Sequence, residues 1–143
     1  MKYKINLYHV LSILQILVGV GAIPTGLAFV MDPTGHKSGA SLDMLSDSLF
    51  VDFYFPGLFI IVFLGIGSFA GAVVSFMKLE VSGVLGLALG ILMIVLIIIQ
   101  IRWIGYGSIF QPIYILIGLA ESVAGYIILI RVLRGINPRQ FSR

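Results

Sequence analysis

The chain has no cysteine, and of its 143 residues only 10% carry a charge. Without thiols there is no disulfide exchange, no thiolate nucleophile, no iron–sulfur cluster and no cysteine-ligated zinc. The signatures of other chemistries are missing too: no GxSxG, HExxH, P-loop or paired-carboxylate constellation occurs. The expectation is a non-catalytic protein with no cofactor and no metal. Four aspartates (Asp32, Asp43, Asp47 and Asp52) and His36 fall near one another in sequence. They lack the close regular spacing around a glycine turn that a calcium loop needs.

What is present in abundance is apolar surface. Hydrophobic residues make up 59% of the chain, and the mean hydropathy is +1.13. Soluble domains are roughly 45–50% apolar and about 25% charged, and a chain of this length cannot hide so much apolar area in one core. The composition predicts an integral membrane protein, all-α, with membrane lipids as its first partners. The start, "MKYKINLYHVLSILQILVGVGA", is basic and then apolar like a secretory signal. Its apolar stretch continues to Val30, beyond an h-region, so a retained helix is expected.

Four segments reach spanning length: about 5–31, 53–77, 81–101 and 110–130. They predict one domain, 1–143, folded as a four-helix bundle. "KLE" (78–80) reads as a tight hairpin between the second and third spans. Ser108 followed by Gln111 reads as a capping box, with Pro112 in the first turn of the fourth. Lys2, Lys4, Lys78, Arg131, Arg134, Arg139 and Arg143 would share one side, against Lys37 and Arg102 on the other. That bias predicts both termini in the cytoplasm, in a plasma (inner) membrane. The basic tail "RVLRGINPRQFSR" then reads as attraction to anionic lipid, not to nucleic acid.

The long connection, residues 32–57, opens with "DPTG", a type I turn pattern. In "SLDMLSDSLF", Leu42, Leu45, Leu49 and Phe50 share a face opposite Asp43, Ser46 and Asp47. The spacing predicts a short amphipathic helix along the outer interface or folded over the bundle mouth. Phe53, Tyr54, Phe55, Trp103 and Tyr106 cluster near this level as an aromatic belt or a lid. Arg102, where the third span ends, is expected to pair with Asp52, or failing that with Asp32.

The first span carries a stripe of Tyr8, Ser12, Gln15, Gly19, Ala22 and Gly26, and the fourth one of Tyr114, Gly118, Glu121 and Gly125. Gly67 and Gly71, with Ser68 and Ser75 nearby, serve the second span; Gly83, Gly86 and Gly90 serve the third. Small and polar residues turn away from lipid tails and toward neighbouring helices. Gln15 and Glu121 both fall roughly 15 Å from the cytoplasmic ends of their helices, at 1.5 Å per residue. They are therefore expected to be partners at mid-membrane, with Tyr114 on the same stripe. An ionised carboxylate there costs at least about 2.5–3.5 kcal/mol, and with no Lys or Arg at that depth its neutral form is favoured.

Two functions follow. The first is an accessory subunit or self-associating scaffold, working through contacts with another membrane protein or with itself. The second is an oligomeric transporter or lipid-soluble ligand binder that uses Glu121.

Overall fold

The computed structural model describes residues 6–135. Lys2, Lys4, Arg139 and Arg143, which weighed in the charge bias, lie outside them. Four helices are long and apolar enough to cross a membrane: α1 Leu7–Met31, α2 Tyr54–Phe76, α3 Ser82–Ile104 and α4 Phe110–Leu133. They run up, down, up and down, in two antiparallel pairs: α1 with α2, and α3 with α4. The pairs meet through α1 and α4, and more sparsely through α2 and α3. The ends match the expected spans closely, except that α3 and α4 each run three residues further. Gly105, at φ 84, stops α3, and Gly135, at φ 72, follows the last turn of α4.

At one end, the hairpin end, α2 closes with a paired-turn cap. Lys78 adopts the left-handed conformation, the Leu79 N–H reaches the Val74 carbonyl at 3.2 Å, and the Lys78 N–H reaches Ser75 at 2.9 Å. Glycine is the usual residue there. The Ser82 hydroxyl adds a bond of 3.1 Å to the same Val74 carbonyl, which ties α3 to the end of α2.

The opposite, loop end is built differently. The expected turn at Asp32–Gly35 forms, closed by the Gly35 N–H on the Asp32 carbonyl at 2.9 Å. The Asp32 carboxylate accepts from the Thr34 hydroxyl at 2.6 Å and the Lys37 N–H at 2.8 Å, and these bonds hold it below the usual carboxylate range. The amphipathic helix forms only as one 3-10 turn, Leu42–Leu45 after Ser41, and the leucines expected on its face diverge: Leu45 is 4% exposed and Leu49, beyond the turn, is 98% exposed. The Ser48 hydroxyl accepts the Phe50 N–H at 3.1 Å, a local turn that competes with helix. The segment does fold onto the bundle, since Leu42–Leu45 packs against α3. The aromatic cluster divides. Phe53 is buried and stacks on Phe29 at 4.9 Å, and Phe50 meets Trp103 edge-on at 6.0 Å. Tyr54, Phe55 and Tyr106 stay exposed.

Inside the spans, α1 holds Pro24, which removes one intrahelical hydrogen bond. Facing it, α2 widens into a π-helical stretch at Ile60–Ile66. The extra residue per turn lets Leu64 and Gly65 both turn inward, with Gly65 seated on the Ile23 side chain. The core consists of two apolar clusters. Tyr8, Leu11, Ala124 and Ile128 fill the hairpin half; Val18, Ala22, Leu64 and Met93 fill the loop half.

Candidate functional site

Between the two apolar clusters lies a polar layer. On α1, Ser12 and Gln15 stand between Leu11 and Val18; on α4, Glu121 stands between Gly118, which abuts Met93, and Ala124, which packs with Leu11. The α2 face Leu64, Ser68, Gly71 and Ser75 supplies the third wall, at helical spacings of four and three. Gln15, Ser68, Ser75 and Glu121 are all 0% exposed.

Half of this layer is satisfied. The Ser75 hydroxyl donates to Gln15 Oε1 at 2.9 Å, and the Ser12 hydroxyl donates to the Ala72 carbonyl at 2.8 Å. Both bonds join α1 to α2. The other half is not: Gln15 Nε2, Ser68 Oγ and both carboxyl oxygens of Glu121 are buried without a hydrogen-bond partner. Buried polar atoms are paired in the great majority of proteins, and exceptions tend to sit where water, an ion or a ligand belongs. Here the exceptions come from three helices and gather in one layer.

Gln15 and Glu121 are thus brought to the same level, as their spacing along the helices predicts, but they are not bonded to each other. The Gln15 amide is turned toward α2 instead. Its Oε1 takes the Ser75 hydroxyl, and its Nε2 fills the space of the missing Cβ at Gly71, 2.7 Å from where that atom would sit. Tyr114 does not join the layer. It is two turns from Glu121, packs on the loop-half cluster, and sets its hydroxyl where a Cβ of Gly21 would be. Ser68 is what the sequence reading undervalued: a small residue beside a glycine pair reads first as packing.

The expected outer ion pair also needs correction. Arg102 is exposed in the last turn of α3, and among the described residues no ion pair joins it to Asp52 or Asp32. Asp52 is engaged locally, its Oδ1 accepting the Tyr54 N–H at 2.9 Å at the start of α2. At a helix end a cation already interacts favourably with the carbonyls, so Arg102 needs no carboxylate. Nor do Ser108 and Gln111 close a reciprocal capping box. The Ser108 hydroxyl accepts from the Phe110 N–H at 3.2 Å, while the Gln111 amide bridges the Gly105 carbonyl and the Gly107 N–H, each at 3.2 Å.

Of the packing glycines, Gly19 abuts the Phe69 ring, and Gly86, Gly90, Gly118 and Gly125 bring α3 and α4 to backbone contact. Gly67 does not need to be glycine for space, since a Cβ there would meet Leu89 Cδ2 and the Val62 carbonyl at an ordinary 3.5 Å. Among the described residues, no group of three or more His, Asp or Glu gathers. Searches against protein-family models, curated proteins and solved structures give no match for this chain.

Proposed function

We propose that this is a non-catalytic membrane protein that binds a lipid-soluble ligand at the polar layer around Glu121. What supports the reading is one observation: four buried polar atoms on α1, α2 and α4 lack partners at mid-height of the bundle. Leaving a buried polar group unpaired costs about 1–3 kcal/mol, so a ligand whose head satisfies several of them gains that much in binding. For a scaffold the glycine stripes offer no docking surface, being engaged within the chain at Gly19, Gly71, Gly86, Gly90, Gly118 and Gly125. The lipid-facing surface that remains, such as Phe59 and Phe63 on α2, meets lipid tails as well as it would meet a partner. The orientation proposed with this reading, both termini cytoplasmic in the inner membrane, rests on the basic residues. An impermeant reagent should label a cysteine at Ser38 from outside.

The test of ligand binding is purification in gentle detergent followed by mass analysis of bound small molecules. Wild type should retain a molecule that Glu121→Leu loses. The leucine removes two unsatisfied oxygens, so the ligand-free variant should be at least as stable as wild type. No bound molecule in wild type, or equal content in both, overturns the reading in favour of a structural role.

A further inference from the structure

The four seams between neighbouring helices are closed in different ways. Along α3 and α4 the backbones touch: a Cβ at Gly83 would lie 2.6 Å from the Leu129 nitrogen, and one at Gly90 would lie 2.6 Å from the Gly118 carbonyl oxygen. Along α1 and α2, Gly26 and Gly57 meet backbone to backbone, and Ser12 bonds Ala72. Between α1 and α4, Leu11 packs on Ala124 and Ile128, and Tyr114 covers Gly21. Between α2 and α3 contact is sparse. At the level of the polar layer, Leu89 of α3 lies in this seam.

The geometry there is specific. Leu89 Cδ1 lies 3.1 Å from the Cβ position of Gly71, and Cδ2 lies 3.5 Å from that of Gly67, so one half-buried leucine lies across two glycines a turn apart. The same point at Gly71 is 2.7 Å from Gln15 Nε2. A fully buried amide nitrogen without a partner therefore stands beside a leucine that is itself only half-buried. Ser68, with its unpartnered hydroxyl, lies between the two glycines on α2.

We infer that the polar layer opens to the bilayer between α2 and α3, beside Leu89, and there takes a membrane-soluble alcohol. This deepens the ligand-binding reading above and rests on it. The head group is chosen by hydrogen-bond matching. Gln15 Nε2 can only donate, Ser68 Oγ can donate or accept, and the Glu121 carboxyl accepts whatever its protonation state. A hydroxyl accepts from Gln15 while donating to Glu121. An ammonium would leave the Gln15 amide without an acceptor, and a ketone or ester, which only accepts, would serve only while Glu121 is protonated, whereas a hydroxyl serves in either state. The glycines at 67 and 71 offer the apolar body of such a molecule a flat wall once Leu89 swings aside.

The test uses the full chain in phosphatidylcholine nanodiscs with a diazirine-bearing analogue of hexadecanol. Analogues carrying an amine, a ketone or no polar head serve as comparisons. The alcohol should label the segments 67–71 and 86–90 saturably and be competed by unlabelled hexadecanol. Leu89→Phe should reduce that labelling several-fold, whereas Leu89→Ala, which only removes atoms, should keep or raise it. Ile98→Phe, on the lipid-facing side of α3, should change nothing. If Glu121→Leu abolishes labelling but neither Leu89 variant alters it, the α2–α3 route is wrong and the polar site stands. Stronger labelling by the amine or the ketone overturns the assigned head group. Labelling that is unsaturable, or indifferent to Glu121→Leu, overturns both this inference and the ligand-binding reading.

Discussion

The two helix pairs solve the same problem with different materials. The α3–α4 pair is held by proximity: Gly83, Gly86 and Gly90 face Gly118, Ser122 and Gly125, and the backbones touch. Its one side-chain hydrogen bond at this contact is internal, from the Ser122 hydroxyl to the Gly118 carbonyl at 2.8 Å. The α1–α2 pair is tied by side chains crossing between helices, Ser12 to Ala72 and Ser75 to Gln15, and it carries both Pro24 and the π-helical stretch. In lipid the hydrophobic effect does not drive helices together, which leaves packing, hydrogen bonds and lipid entropy, and the two pairs differ in the first two. Packing gives a rigid seam with no freedom to change. Hydrogen bonds give a seam that can leave atoms unpaired, and two of the four unpaired atoms, Gln15 Nε2 and Ser68 Oγ, lie in that pair, the other two being the Glu121 oxygens on α4.

The contrast is most exposed to test at Gly125. A Cβ there would press on the Leu87 nitrogen and lie 2.7 Å from the Gly86 carbonyl carbon and 2.8 Å from the Gly83 carbonyl oxygen. These are backbone atoms of a helix and cannot rotate away. Gly125→Leu should therefore force α3 and α4 apart, at about 3 kcal/mol or more, the upper end for overpacking. Thermal unfolding in detergent reads it directly. A variant as stable as wild type would mean the α3–α4 seam is looser than described.

How much of this was written in the sequence differs between the pairs. Glycine spacing marked which faces of α3 and α4 turn inward, because in a spanning helix a small residue every three or four positions marks close approach, but not that these two faces would meet each other. The depth of Gln15 and Glu121 was also legible, since rise per residue fixes it. Their bonding was not. Which way a long amide turns depends on which neighbour offers an acceptor or a gap, and Gly71 and Ser75 on α2 offered both. The π-helical stretch left no readable mark, since Ile60–Ile66 has the composition of any span. The loop helix is shorter than its apolar spacing suggests, one 3-10 turn at Leu42–Leu45, and beyond it Ser48 bonds locally to the Phe50 N–H.

A smaller effect is expected on the hydrogen-bonded side. Ser75→Ala and Gln15→Leu, alone and together, form a double-mutant cycle on the 2.9 Å bond between them. The coupling should be near 0.6 kcal/mol, the average for interhelical bonds in membranes, where the unfolded reference state also finds partners. Chemical unfolding in mixed detergent micelles measures it. A coupling above about 2 kcal/mol, beyond the roughly 1.7 kcal/mol maximum found for such bonds, would overturn the description of this seam as held by weak ties.

The smallest effect is expected at Gly67, and it separates glycines that pack from glycines that merely occur. Gly67 has ordinary right-handed helical angles, φ −58 and ψ −43, so any residue can adopt its conformation. An added methyl would sit 3.5 Å from both Leu89 Cδ2 and the Val62 carbonyl, normal contact distances. Alanine also loses less backbone entropy than glycine in a helix, by roughly 0.5–1 kcal/mol. Gly67→Ala should therefore leave the unfolding midpoint unchanged or raise it slightly. Gly71→Ala, one turn on, should lower it, because its methyl would lie 2.7 Å from Gln15 Nε2 and push the amide off the Ser75 hydroxyl. The two variants add the same methyl one helical turn apart, so composition cannot explain opposite signs. If both destabilise alike, Gly67 is a packing glycine after all, and Leu89 closes the α2–α3 seam more tightly than its contacts indicate.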